Sequence, residues 1–565
     1  MIVRSLNWIL VSALIFALAG CGGGREDGVE PGVQNSSGQI ALNASVPKVT
    51  FYAASRFAEQ VSFGPTPALI AEIQSKGFEK WIDDQFALPL KPIDMAPAEV
   101  IYSIGVNQQV PNEIWQYLER EFSNRAISAP DQLRNRVTWS LSQFIVAAST
   151  KGEVPGWVNW HNVLYRNAFG NYGELLYQVS VDGHMAHYLD NDQNRPKSAE
   201  CQHCAPNENY ARELMQLFSL GVYKLNADGT PLRDPRGRFI ETYTQKDVEE
   251  LARVLTGWTR NQEPQNRPQR NWGNWGKPMV PSTWAPERDS GRKVVLQKAF
   301  PANQTADKDL RDVVELLMGH DNIAPFVALR MIQHLVKSDP SPSYVARVAA
   351  RFKNNGSGIA GDLKTVTKSI LLDVEARRGD APGAGANGDG KFREPFLHSM
   401  AMWRGLGCQK VPSGQGGWFI LPASQVPFRQ QSVFSYYAPT DRAPGSNLLA
   451  PEQRLLTSDD IRTRLSMIEW ASWWDSKNNR RVWDAYIDAG CKIGDWKAAF
   501  SQSPTAFNDK LAVTYFRGAM PPVLRSNMEQ LLRQANPPWD RNDATQGAMR
   551  MVAFSLTTPY FGIMK

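Results

Sequence analysis

Helix-start signals, each followed by an apolar stripe of period 3.6, recur along this chain and leave room for little else. Thr66-Pro67 supplies an N-cap and a preset first turn, after which Leu69, Ile70 and Ile73 share one face. A second short helix is predicted through Phe78, Trp81, Ile82 and Phe86. From Asp131, the positions Leu133, Val137, Leu141, Phe144, Ile145 and Ala148 hold a helical period for more than four turns, with Arg134 and Arg136 off the stripe. Thr244 and Asp247 form a variant of the capping box, with Tyr243 and Val248 at the staple positions. Further helices are predicted over 172–181, 312–318, 323–336, 344–352, 363–372, 396–406, 461–474 and 527–534. Because 42% of the 565 residues are hydrophobic, such helices can bury large cores. The expected fold is mainly α: a large multi-helical domain with a small β-hairpin excursion and long loops.

The hairpin excursion is 225–243, where Asp228-Gly229 and Arg236-Gly237 are turn signals between short apolar ends. Residues 261–286, rich in Trp, Asn, Gly and Pro, are expected to be a long loop. A Gly- and Ala-rich loop over 379–389 is the best internal boundary. It divides a main helical domain, 48–380, from a helical C-terminal part, 391–565, packed on it. Gly385 to Lys391 nearly spells a phosphate-binding loop, but Phe392 stands where Ser or Thr would hold magnesium and no strand precedes it.

Arg4 precedes an apolar run from Ile9 to Leu18, too short for a comfortable membrane span but suited to a signal peptide. The run ends in Leu18-Ala19-Gly20-Cys21, which resembles a bacterial lipoprotein signal. Residues 1–20 would then be removed, Cys21 would carry lipid, and 21–47 would form a flexible tether. Gly22 in place of Asp suggests the outer membrane of a Gram-negative envelope. In that oxidising compartment, Cys201 and Cys204 read first as a local disulfide, with a redox pair or a metal site including His203 as weaker alternatives. Cys408 and Cys491 stand singly and far apart in sequence. A net charge of only +6 gives no reason to expect a nucleic-acid partner.

No HExxH or Gly-x-Ser-x-Gly pattern is present. The most informative segment is PNENYARELMQLFSLG, Pro206 to Gly221. On a helical wheel Tyr210, Leu214, Leu217, Phe218 and Leu220 share an arc, with Glu208, Arg212 and Gln216 opposite. Glu213 falls inside the apolar arc. A carboxylate there must be paired with an Arg, ligate a metal, or hold a raised pKa for acid/base work. Asn209, four residues earlier, could address the same ligand. Upstream, Asp190, Asp192 and Asn194 alternate as in the first half of a calcium loop, but Arg195 replaces its Gly and Cys201 its twelfth-position Glu, so Asx turns are the plainer reading. His184 and His187 lack a third ligand.

These segments together resemble the bacterial family known as domain of unknown function 1800. The resemblance rests on FAEQVSFGPTPALIAEI, RVTWSLSQFIV, AFGNYGELL, YLDN, PNENYARELMQLFSLGV, TYTQKDVEELARVLTGW, SPSYVARVAARF, GDLKTVTKSILLD, KFREPFLH and SVFSYYAP, in order over 53–455. It implies a largely helical envelope protein without established activity, often found beside a family that resembles sulfatases and phosphatases, which is the expected partner. Asn207, Glu208, Asn209, Arg212 and Glu213 match the densest motif, as do Thr256, Gly257 and Trp258. His184, His187 and Arg288 depart from the family pattern and argue against a His-based metal site.

Two functions remain open at this point. One is an envelope enzyme, a hydrolase or an oxidoreductase, acting on an extracellular polymer such as a polysaccharide. Glu213, Glu208 and Arg212 would be catalytic. Asn207, Asn209, Trp258, Trp272 and Trp275 would bind substrate, and a divalent metal is admissible. The other is a non-catalytic lipoprotein whose Trp-rich loop, 271–284, binds sugars or scaffolds an assembly.

Overall fold

The computed structural model describes residues 48–105, 116–260, 262–263, 273–385, 389–412, 422–469, 474–475, 480–481, 483–534 and 544–565. The expected signal peptide over 1–20, the expected tether over 21–47 with Cys21, and Trp272 lie outside them. The described residues carry 24 α-helices and four antiparallel two-stranded ladders, so the protein is mainly α. No helix among them is long and apolar enough to cross a membrane.

Local sequence explains most helix boundaries. Thr66 accepts a hydrogen bond from the Leu69 N–H and starts Pro67–Lys76, while Asp362 caps Leu363–Leu372, whose bounds match the sequence reading. Thr244 and Asp247 complete a reciprocal capping box on Gln245–Val254. The excursion at 225–243 is pinned by bridges Tyr223 to Glu241, Leu225 to Pro231, and Arg233 to Phe239.

Two helix expectations run too far: the one over 461–474 ends at Glu469, with Trp474 in the short strand Trp474–Asp475. The helix begun at Asp131 spans only Gln132–Ser142. Beyond it the Phe144 N–H bonds the Leu141 carbonyl at 3.3 Å, and the Ser149 N–H reaches the Phe428 carbonyl at 2.7 Å, so distant chain takes over the backbone pairing. Arg134 and Arg136 do lie off the apolar stripe, yet both are buried. Arg136 donates to the His334 carbonyl at 2.7 Å.

Pro47–Lys565 forms one compact unit with two hydrophobic cores. The first gathers Phe57, Val137, Leu141, Tyr172, Leu214, Leu251, Val327 and Ile370. The second gathers Phe63, Phe122, Trp139, Phe396 and Trp403 with Trp496, Phe507, Tyr515 and Phe561 from the C-terminal helices. Lys391–Phe392 pairs with Ile563–Met564, and a disulfide joins Cys408 to Cys491. Glu59 binds both Arg393, at 3.0 Å, and Arg517. Burial opposes its charge, but the two guanidiniums overcome that and hold the carboxyl below its ordinary range.

Candidate functional site

The helix Glu208–Gln216 carries the densest motif. Asn207 caps it by accepting the Asn209 N–H at 2.9 Å, and its own N–H donates to the Asn194 side chain at 2.8 Å. The helix stops short of the predicted Gly221 because the N–H groups of Leu220 and Gly221 both turn back to the Met215 carbonyl. Gly221 has φ of 77°, and a Cβ there would lie 3.2 Å from the Phe326 ring, so glycine is required on both counts.

Tyr210, Leu214, Phe218 and Leu220 are buried as the wheel predicts, and Glu213 is buried among them at 7% exposure. Its Oε2 has no hydrogen-bond partner among the described residues. Burial pushes this carboxyl up to about 7, against a small opposing pull from Arg212. Near neutral pH it can therefore both give and take a proton. Tyr188 and Tyr243 stand close enough to feel its charge; burial first, then Arg212 and Glu213, set the Tyr243 phenol at about 12.

The other motif residues divide into separate tasks. Glu208 and Arg212 pair with each other at 2.9 Å and with Gln245, forming a surface lattice that joins two helices. They do not converge on Glu213. Asn209 reaches back to Asp190 at 3.2 Å. Asp192 binds Arg260 at 3.1 Å and His187 at 3.3 Å, and Asn194 donates to the Ala252 carbonyl at 3.0 Å. The alternating oxygens of this loop thus turn to three different sets of protein partners and anchor the start of the Glu213 helix. Among the described residues no group of three or more His, Cys, Asp or Glu could hold a metal ion. Cys201 and Cys204 form a disulfide.

Trp258 and Trp275, expected as open ring faces, are each only 4% exposed. Trp275 lies beneath the Arg260 guanidinium, 4.0 Å from its centroid, and against the His187 ring. Trp258 sits in the short strand Trp258–Thr259, paired with Val280–Pro281. Both are therefore core residues. Trp275 thereby packs against the two side chains, Arg260 and His187, that bind Asp192.

Two features escaped the sequence. Cysteine arithmetic alone would have paired Cys408 with Cys491 once Cys21 was set aside and Cys201 bonded to Cys204. The second is a small cavity beside Gln216 and Leu217, lined by residues from four distant stretches of chain. No local pattern announces it.

The model of the family described as a protein of unknown function, DUF1800, matches residues 56–563. The chain belongs to this family. No curated protein and no solved structure matches it.

Proposed function

We propose that this protein is an envelope enzyme acting on an extracellular polymer such as a polysaccharide, with Glu213 as its proton-transfer group. The observation that carries the reading is the Glu213 carboxyl itself: buried, without a partner on Oε2, and poised at about 7. A structural acid in a core is normally neutralised by a cation. An acid left poised instead suits chemistry in which a leaving oxygen must be protonated or a water activated, as in cleavage of a glycosidic bond. Perturbed acids of this kind cluster at functional sites.

Glu208 and Arg212 leave the catalytic set in this reading, because each is the other's partner at the surface. Asn209 and Asp190 form the polar edge of the site. Lipidation at Cys21 would hold the enzyme at the membrane, and its support is the Leu18-Ala19-Gly20-Cys21 pattern. The scaffold alternative needs exposed indole faces, and neither Trp258 nor Trp275 offers one.

The test is complementation of a deletion strain with Glu213→Gln, which keeps the side chain's shape. The proposal expects the deletion phenotype to persist although folded protein accumulates at the wild-type level. Full rescue by that variant would refute it.

A further inference from the structure

The cavity beside the Glu213 helix contains a cation for which the described residues provide no counter-charge. Arg330, on the helix Ile323–Leu335, lies over the Phe326 ring at 5.3 Å and donates to the Gln333 side chain at 2.9 Å. Burial alone pulls its guanidinium down to about 10, with no carboxylate acting on it. Several buried cations of this protein have acids, as Lys391 has Glu394, Arg393 has Glu59 and Lys293 has Asp309, and Arg404, which has none, gives its guanidinium to the carbonyls of Gly64, Ala126 and Ile127. Arg330 faces a void instead.

The surroundings of that void have donors and no negative wall. His334 and Tyr437 line it, with their rings 6.5 Å apart, and Gln216 closes the side toward the Glu213 helix. Burial, reinforced by Lys391, holds the His334 imidazole down to about 3, so it is neutral and presents one N–H and one acceptor. Phe144 and Phe326 supply apolar walls. Behind His334, Arg136 and Lys391 both bind its backbone carbonyl. The carboxylates there are already engaged, Glu394 by Lys391 and Gln425 and Glu452 by the Ser338 hydroxyl and the Phe392 N–H.

Size narrows the occupant. The cavity measures about 50 Å³. A single water needs roughly 10–15 Å³ on this measure, so the space fits a group of about three to five heavy atoms and excludes a whole sugar ring. A guanidinium in a partly apolar enclosure favours a planar or tetrahedral oxyanion, which its fork of donors can bind in parallel.

We propose that this cavity is a binding site for an oxyanion group, a carboxylate, sulfate or phosphate, with Arg330 as its charge partner and His334 and Gln216 as hydrogen-bonding groups. Under the enzyme reading above, the polymer is anionic and this site holds one of its charged substituents beside the C-terminal end of the Glu213 helix. That consequence rests on the enzyme reading; anion binding itself does not and is measured separately.

Full-length protein in detergent is titrated calorimetrically with sodium acetate, sulfate and phosphate at matched ionic strength, against sodium chloride. One stoichiometric site is expected for at least one of the three, and which anion binds identifies the group. Arg330→Gln should weaken binding by roughly tenfold or more, the usual worth of a charge-assisted contact, whereas Arg330→Lys retains a measurable part of it. Binding by none of the three anions, or equal binding by Arg330→Gln, overturns the proposal. If Arg330→Gln does not fold, the native protein decides: phenylglyoxal modification of Arg330, followed by peptide mass spectrometry, should slow in the binding anion. Equal rates in that anion and in chloride overturn the proposal as well.

Discussion

Glu213 and Glu394 are both buried glutamates at the start or middle of helical segments, at 7% and 1% exposure, yet they sit at opposite ends of the carboxylate range. Glu213 is pushed up to about 7, whereas Glu394 is held down to about 2. Burial disfavours the charge at both. At Glu394 it is overcome by Lys391 at 2.8 Å, helped by Gln425, which also ties the cluster to the Phe396 backbone. At Glu213 only Arg212 opposes it, and that side chain is spent on Glu208 and Gln245. Partners rather than depth decide which acid holds a structure together and which stays free for chemistry.

Breaking the well-partnered acid should have the larger effect. Glu394→Gln leaves Lys391 buried without its counter-charge and should cost about 3–5 kcal/mol in urea unfolding. The folded carboxyl lies below its ordinary value, so its contribution is full above about pH 4.5 and fades as pH falls toward 2. The variant should lose that part of the acid dependence.

Glu213 should show the opposite sign. Its folded pKa lies above the ordinary 4.5, so the stability it contributes is intact below that value and is eroded as pH rises through 7. Glu213→Gln should remove this slope and leave the variant more stable than wild type at pH 8, by on the order of 1 kcal/mol, in paired melts at pH 5 and pH 8. A variant less stable than wild type at pH 8 would mean that Glu213 has a cation partner after all.

The smallest effect belongs to the surface pair. Arg212→Ala should cost about 0.3–0.5 kcal/mol, as exposed pairs at this spacing do. It should also raise the Glu213 midpoint further, because Arg212 is the charge that lowers it.

What could be read in advance follows the range of the interactions involved. Leu363–Leu372 and the capping box on Gln245–Val254 are set by neighbouring residues, and the sequence pattern located them. Glu213 was also legible, because its misfit in an apolar arc is a local fact. The length of Gln132–Ser142 was not, since its end depends on Phe428, hundreds of residues away. The burial of Trp275 depends on Arg260 and His187 across a long loop, and composition cannot tell a packed indole from an open one. The Arg330 cavity is the extreme case. Within IAPFVALRMIQHL a lone Arg looks like a solvent-facing residue, and only Tyr437 and Gln216, brought in from either side, turn its surroundings into a pocket.

The most direct test is infrared difference spectroscopy of the folded protein between pH 5 and 9, wild type minus Glu213→Gln. A protonated-carboxyl C=O band is expected that titrates with a midpoint near 7 and is missing from the variant. A Glu213 carboxylate already ionised at pH 6 would contradict it.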